Sequence, residues 1–269
     1  MEESIKLPEY LFPFKTNNLI RIGESSDGSY LVDENSVKDT DILLSIGVGT
    51  IFEFEKKFLE INRVPILAFD GEAGLKPQFK KIKWRIRQII YLRDLDYIKE
   101  SVQHFLAPLR FYLFFKNFRN YNLNKNYRRF IKKFVGSEES YISIKEILNN
   151  YIFPENFKNI FFQIDIEGGE YKILDEIIEV QDYITGLSIE FHDITKHLSE
   201  IEKFISEFNL TLIHTHINNI GGISNDKYPN VIELSFAYVN SNVRVEKLPH
   251  ELDKPNSNEF FEYSIKRFT

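Results

Sequence analysis

The stretch DILLSIGVGT (residues 41–50) decides how this chain folds. Its apolar run ends in two closely spaced glycines, which predicts a buried strand followed by a tight turn. Next come IFEFEKKFLEI (51–61), with apolar residues at helical spacing, and VPILAFDGEAG (64–74), a second apolar run that ends at Asp70 and Gly71. Strand, glycine turn, helix and strand form a βαβ unit, which predicts two parallel neighbouring strands.

The same rhythm returns in the second half of the chain. A third strand is expected near residues 130–136, and later strand-like runs lie at 159–169, 184–193, 210–219 and 231–240. The last two runs have no helical pattern between them, so we expect them to pair antiparallel. The sequence therefore predicts an α/β fold: a mostly parallel, Rossmann-like seven-stranded sheet with a last antiparallel strand. Two lead-in strands joined by the turn SSDGSY precede it.

Residues 75–133 interrupt this rhythm and mix aromatic side chains with cations. From residue 76 to 133 there are sixteen Lys or Arg and three acidic residues, although the whole chain carries a net charge of −6. We predict a helical basic insertion that divides one domain, formed by residues 1–74 and 134–269. Its positive field indicates an anionic partner, and Arg128 and Arg129 are candidate binding residues.

The basic insertion is compatible with several partners. Cations beside aromatic rings suit a small anionic acceptor such as a sugar nucleotide. Single-stranded nucleic acid is a weaker alternative, because the sequence pI is about 5.6 and no nucleic-acid module is recognised. A basic amphipathic helix on a membrane surface is a third interpretation. A plain solvated cap, or a contact between copies of the chain in a homo-oligomer, is the fourth.

Composition excludes several kinds of site. The chain has no cysteine, so disulfides, thiolate zinc sites and a cysteine nucleophile are excluded. The acidic N-terminus lacks the pattern of a secretion signal, and no run of about 18 apolar residues indicates a transmembrane segment. We therefore expect a cytoplasmic protein.

The glycine turn predicts a nucleotide-binding end of the sheet. Ligands of open α/β sheets bind beyond the carboxyl ends of the strands, and an acidic residue that ends the next strand can bind ribose hydroxyls. The candidate residues are Ser45, Gly47, Gly49, Asp70 and Gly71. Phe52 stands where a dinucleotide fingerprint has its third glycine. This favours a ligand without a pyrophosphate, such as S-adenosylmethionine, although a plain tight turn is the structural alternative.

Five motifs together resemble the FkbM-type methyltransferases. They are Arg21-Ile-Gly with Asp27-Gly-Ser-Tyr30, Ser45-Ile-Gly-Val-Gly with Phe52-Glu53, Ala68-Phe-Asp70, Gln163-Ile-Asp-Ile-Glu-Gly-Gly-Glu170 and Ser188-Ile-Glu-Phe-His192. The resemblance covers residues 20–75 and 134–240, and Gln163 replaces a lysine of the family signature. It implies a class I methyltransferase fold and methyl transfer from S-adenosylmethionine to a hydroxyl, often on a sugar or a natural-product precursor. The alternatives are an RNA methyltransferase and a non-catalytic protein that binds S-adenosylmethionine or a sugar nucleotide.

Ionisable residues follow two predicted strands at the chemical end of the sheet. Asp165 and Glu167 end one strand, and Glu190 and His192 end the next. Methyl transfer to a hydroxyl requires a group that takes the hydroxyl proton. We predict His192 as this base, with Asp165 as second choice and Glu190 beside them. Asp165 is also a candidate cofactor ligand. Glu167 either binds the acceptor or stabilises the helix that follows.

Two further groups are candidate acceptor ligands. His214, His216, Asn218 and Asn219 come from the next predicted strand and its end, where the first three share one face. They would hydrogen-bond the acceptor or, together with Asp165 and His192, bind a divalent metal. Asp27 and Tyr30 would fold over the cofactor or acceptor from the N-terminal side, unless they belong to a plain turn.

Overall fold

The computed structural model describes residues 5–23, 28–49, 52–72, 114–115 and 128–267. The α-helices are α1 (Glu34–Lys38), α2 (Glu53–Ile61), α3 (Ile144–Ile147), α4 (Leu174–Glu179) and α5 (Ile194–Glu207). The first five strands are β1 (Leu19–Ile22), β2 (Tyr30–Asp33), β3 (Ile42–Ile46), β4 (Ile66–Phe69) and β5 (Arg128–Ile131). The others are β6 (Ile160–Ile164), β7 (Ile184–His192), β8 (Thr211–Ile217), β9 (Val231–Ala237), β10 (Lys247–Leu248) and β11 (Ile265–Lys266).

Seven strands form the central sheet, in the order β5-β4-β3-β6-β7-β9-β8. Strands β3 to β7 pair in parallel, whereas β9 pairs antiparallel with both β7 and β8. The predicted α/β fold, a mostly parallel, Rossmann-like seven-stranded sheet, is confirmed, including the βαβ unit and the antiparallel last strand. The lead-in strands β1 and β2 pair antiparallel, as expected.

The sheet buries apolar side chains on both faces. Along β3, Leu43 packs with α2 and the β1–β2 hairpin, whereas Leu44 and Ile46 belong to the larger core on the opposite face. All five β3 residues are buried, which explains why the strand reads as an apolar run without alternation. On α2, Phe54 and Phe58 cover the smaller core.

The third strand of the sheet differs from the prediction. β5 spans Arg128–Ile131 and pairs with β4, so the sheet resumes inside the range 75–133 that was assigned to the insertion. The predicted third strand near residues 130–136 was placed too late in the chain. The rest of the predicted insertion, apart from Phe114–Phe115 and residues 132–133, lies outside the described residues.

β3 is flanked by β4 on one side and β6 on the other, so the strand order reverses between β3 and β6. Such a switch point leaves a crevice beyond the carboxyl ends of the strands. The segments that end β3, β4 and β6 therefore lie around one opening. Among the described residues, no helix combines the length and apolar character needed to cross a membrane.

Candidate functional site

A cavity of about 720 Å³ lies at this switch point. Its volume is within the range of small-molecule sites. The lining includes the turn after β3, the residues after β4 and the loop after β6, as the sequence predicted for Gly47, Gly49, Asp70, Gly71 and Asp165.

Gly47 allows the ends of β3 and β6 to approach each other. It has φ +83°, and a Cβ atom there would lie 1.6 Å from the Asp165 carbonyl oxygen. Gly49 also has a positive φ, +56°, but a Cβ at this position would meet nothing within 4 Å. The first glycine is therefore required by packing, whereas the second keeps the turn open toward the cavity.

Asp70 is held at the rim of the cavity by backbone donors. Its carboxylate accepts hydrogen bonds from the Gly49 amide (2.8 Å) and from the Glu72 amide (2.7 Å). These bonds fix the orientation of the side chain after β4. A carboxylate has about four lone-pair positions, so Asp70 can accept further bonds from a ligand.

An aromatic pair forms another wall of the cavity. Phe134 and Tyr141 stack with ring centroids 5.0 Å apart, and Phe134 is 42% exposed. A Cβ on Gly71 would lie 2.3 Å from the Phe134 ring, so glycine is what lets this ring lie against the turn after β4. The pair presents a flat apolar surface next to Asp70.

A buried carboxylate, Glu55, lines the cavity from α2. The Ser45 hydroxyl lies between Glu55 Oε1 and Gln163 Oε1, 2.8 Å from the latter. Burial is the largest influence on Glu55 and raises its pKa from 4.5 to about 7, although the hydrogen bond with Ser45 lowers it. A protonated Glu55 can donate to Ser45 while Ser45 donates to Gln163, although only one of the two Glu55 oxygens has a hydrogen-bond partner among the described residues.

Ser45 was predicted to bind the cofactor, but in this arrangement its role is structural. Ser45 is fully buried and is absent from the cavity lining, and its hydroxyl joins two residues that do line it.

His192 lies within a ring of carboxylates at the ends of β6 and β7. Its Nδ1 is 2.8 Å from Glu170 Oε1, and its Nε2 is 3.3 Å from Glu190 Oε1 and 3.5 Å from Glu167 Oε2. Glu170 is fully buried, and its Oε2 has no hydrogen-bond partner among the described residues. One imidazole thus faces three carboxylates.

The carboxylates change the chemistry predicted for His192. Burial lowers its pKa, but the hydrogen bonds that the ring donates to Glu170 and Glu190, together with the charges of these carboxylates, outweigh burial and raise the pKa to about 11. The ring is then an imidazolium whose two N–H groups both donate, so it has no lone pair for a hydroxyl proton. Of the other two residues predicted to act as the base, Asp165 and Glu190, each is a carboxylate that can accept a proton when ionised.

Asp165, Glu190 and His192 also form a group of potential metal ligands. One donor atom from each lies within 4.8 Å of the others. Asp165 lines the cavity, whereas Glu190 and His192 do not, although Glu190 contacts the lining residue Tyr30.

Acidic side chains outnumber basic ones in the cavity lining. Lys133 and Lys172 are the cations, and Lys172 is paired with Glu138. The acidic residues are Glu55, Asp70, Glu72, Glu138, Asp165 and Glu167. This balance favours a cationic ligand over a phosphate-bearing one.

The group from β8 does not face the cavity. His214 pairs with Asp253 (3.0 Å), and His216 lies between Glu233 (3.1 Å) and Glu262 (3.2 Å). Both histidines are buried beneath the segment that follows β10. Burial lowers the pKa of His216, but the charge of Glu233 and its hydrogen bonds hold it well above 6.5.

The two asparagines of this group also donate hydrogen bonds to other residues of the protein. Asn218 Nδ2 donates to Glu190 Oε1 (3.2 Å), and Asn219 Nδ2 donates to the carbonyl oxygens of Ser257 and Phe260. The predicted common face of 214, 216 and 218 exists, but the C-terminal segment covers it. Neither these asparagines nor His214 and His216 line the cavity, and the predicted metal set that included the two histidines does not form among the described residues.

The remaining predicted acceptor ligands lie in three places. Tyr30 lines the cavity and donates to Glu190 Oε2 (3.4 Å), whereas Asp27 lies outside the described residues. Arg128 and Arg129 lie on the edge strand, and neither lines the cavity. Their guanidinium groups lie over aromatic rings, those of Phe114 (4.3 Å) and Tyr151 (4.7 Å) respectively.

Glu55 and the Phe134–Tyr141 pair were not predicted from the sequence. Position 55 falls on the same helical face as Phe54 and Phe58, so a carboxylate on the apolar face of α2 was the available signal. The aromatic pair had no local signal, because its position depends on how the chain turns after β5.

Comparisons with known proteins give structural similarities only. No protein-family model and no curated protein sequence matches the chain. Similar solved structures include precorrin-6y C5,15-methyltransferase from Geobacter metallireducens (12% identity, TM-score 0.35, 77% of this chain and 85% of that one). Methyltransferase FkbM from Methylobacillus flagellatus is 13% identical, with a TM-score of 0.37 over 73% of this chain and 44% of that one. A human methyltransferase 10 domain containing protein is 9% identical, with a TM-score of 0.35 over 77% of each chain. With TM-scores below 0.5, these similarities assign neither family nor activity.

Proposed function

We propose that this protein is an S-adenosylmethionine-dependent methyltransferase that acts on a hydroxyl group. The observation that carries the proposal is the acidic lining of the cavity around the glycine turn. S-adenosylmethionine carries a sulfonium, an ammonium and a carboxylate group, so it is a net cation, and it has no phosphate. Six acidic residues and two lysines line the cavity, and the acidic excess remains where the buried Glu55, with a pKa of about 7, is protonated. This lining suits such a ligand and disfavours a dinucleotide.

The positions of Asp70 and of the aromatic pair support an adenosine group at one end of the cavity. Asp70 can accept hydrogen bonds from ribose hydroxyls while the Gly49 and Glu72 amides hold it in place. Phe134 beside it offers an exposed ring on which a purine can stack. The absence of a third glycine at Phe52 is consistent with a ligand that has no pyrophosphate.

The carboxylates at the opposite end support a hydroxyl acceptor. A hydroxyl becomes a methyl ether only when its proton is removed as the new bond forms. Asp165 lines the cavity, and Glu190 accepts a hydrogen bond from Tyr30, which lines it too. Protonated His192 balances part of their charge and orients Glu190 through the Nε2 contact (3.3 Å). The acceptor class we propose, a sugar or sugar nucleotide, rests on the basic sequence of residues 76–133, whose cations suit the phosphates that the acidic cavity lining disfavours.

Isothermal titration with S-adenosylmethionine and S-adenosylhomocysteine tests the cofactor. We expect both to bind, and NAD⁺ not to bind. Asp70→Asn should weaken binding by about tenfold or more, because a charge-assisted hydrogen bond contributes about 1.5–3 kcal/mol. Glu60→Gln is the matched control, because Glu60 is outside the cavity lining and is exposed and paired with Lys57 (2.8 Å), so binding should not change.

Transfer of a labelled methyl group to a panel of sugar nucleotides then tests the acceptor. If neither S-adenosyl compound binds, the methyltransferase proposal is wrong. If they bind and only an RNA or a non-hydroxyl acceptor is methylated, the cofactor part stands and the acceptor part is wrong.

A further inference from the structure

We propose that Asp165, Glu190 and His192 bind a divalent cation that accepts both oxygen and nitrogen ligands, such as Mn²⁺. The three donor atoms lie within 4.8 Å of one another and come from the carboxyl ends of two adjacent parallel strands. Two carboxylates and one imidazole supply three ligands to one side of an ion. The side toward the cavity, which Asp165 lines, remains for water or substrate.

The surroundings of His192 fit a metal-binding histidine. Its Nδ1 lies 2.8 Å from Glu170 Oε1, so an Nδ1–H donates to a fully buried carboxylate. Histidines that ligate metals almost always donate their other ring N–H in this way, which fixes the tautomer and the ring orientation. Nε2, the atom that faces Glu190 and Glu167, is then available to the ion.

The charge around the site also favours a cation. Asp165, Glu167, Glu170 and Glu190 surround one imidazole, which carries at most one positive charge. A divalent ion that replaces the Nε2 proton, which passes to solvent, makes the site more positive by one elementary charge. The Glu170 Oε2 atom is buried without a hydrogen-bond partner among the described residues. Because Glu170 shares the single imidazole of His192 with the other carboxylates, acidic groups exceed cationic ones at this site.

The catalytic role of the ion rests on the proposed function, whereas its binding does not. An acceptor hydroxyl bound to the ion would ionise more readily. Its oxygen forms the new bond to the methyl carbon, the carbon–sulfur bond breaks, and the electron pair of that bond stays on sulfur. The hydroxyl proton passes to an adjacent carboxylate such as Glu167, which is exposed and can release it to water.

Electron paramagnetic resonance of Mn²⁺ tests the site directly. We expect the intact protein to take up one Mn²⁺ per chain, with ¹⁴N coupling from an imidazole in the spin-echo modulation. Asp165→Asn and Glu190→Gln should each weaken binding by about tenfold or more. Asp193→Asn is the matched control, because Asp193 is next to His192 but is exposed and paired with Lys196 (2.7 Å), so binding should not change.

Three outcomes would overturn the metal site: no uptake of Mn²⁺ or Zn²⁺, uptake without ¹⁴N coupling, or uptake that neither carboxylate variant weakens. The spin-echo measurement uses the unchanged protein, so it decides even where a variant does not fold. Titration with S-adenosylhomocysteine is independent of the metal. If S-adenosylhomocysteine does not bind to the wild type, the proposed function is refuted, but the metal site is not.

Discussion

The buried carboxylate Glu55 makes the stability of the protein depend on pH in an unusual direction. Its pKa is raised from 4.5 to about 7 because burial penalises the charged form. A carboxyl group with a raised pKa stabilises the folded protein below pH 4.5, and this contribution is lost as the pH rises through 7. A pKa that differs by one between the folded and unfolded chains corresponds to about 1.4 kcal/mol, so the whole contribution is about 3 kcal/mol.

Glu55→Gln removes this titration while it keeps the size of the side chain and its ability to donate to Ser45. The unfolding free energy of the wild type should fall relative to the variant as the pH rises, by about 2 kcal/mol between pH 5 and pH 8. Urea unfolding of both proteins at a series of pH values, without ligand, measures this difference.

Glu60→Gln on the same helix is the control for Glu55→Gln. Glu60 is exposed and pairs with Lys57 (2.8 Å), so its replacement should change stability by the same small amount at every pH. A constant difference between the wild type and Glu55→Gln from pH 5 to pH 8 would refute the reasoning, because it would mean that Glu55 titrates alike in the folded and unfolded chains.

Two other replacements test the packing around the site. Gly47→Ala should lower the free energy of unfolding in urea by about 3 kcal/mol or more, because its Cβ would lie 1.6 Å from the Asp165 carbonyl oxygen. Gly49→Ala, whose Cβ would meet open space, should lower it by only about 1–2 kcal/mol. Equal losses would contradict the packing argument. Asp253→Asn should lower the free energy of unfolding by about 3 kcal/mol, because it breaks the buried pair with His214 (3.0 Å). It should also speed hydrogen exchange in residues 248–263. Unchanged exchange would show that this pair does not hold the segment in place.

The sheet could be predicted from the sequence because its central strands are buried on both faces. Runs such as 42–46 and 160–164 are apolar apart from one buried polar residue each, Ser45 and Gln163, and the glycines and acidic residues at their ends mark where they stop. β5 was misplaced for the opposite reason. It is an edge strand of half-buried residues that begins with Arg128 and Arg129, whose cations lie over aromatic rings, so its sequence resembles a solvated segment.

The candidate site could be predicted only in part, because strand ends are local features and the segments that cover a strand are not. The positions of Gly47, Asp70 and Asp165 follow from the parallel sheet alone. The alternation that placed His214 and His216 on one face was correct, but Asp253 and Glu262 cover that face from about 40 residues further along the chain. No pattern within β8 distinguishes a face open to ligand from one covered in this way.

Glu190 connects this covered layer to the candidate site. Its two oxygens accept hydrogen bonds from Asn218 (3.2 Å) and Tyr30 (3.4 Å), and Oε1 also lies 3.3 Å from His192 Nε2. Glu190 is paired in register with Glu233 on β9, which in turn contacts His216 beneath the C-terminal segment. The orientation of Glu190 therefore depends on both layers. Because a ligand or a cation at His192 needs that orientation, loosening of the C-terminal segment should reach the cavity through this carboxylate.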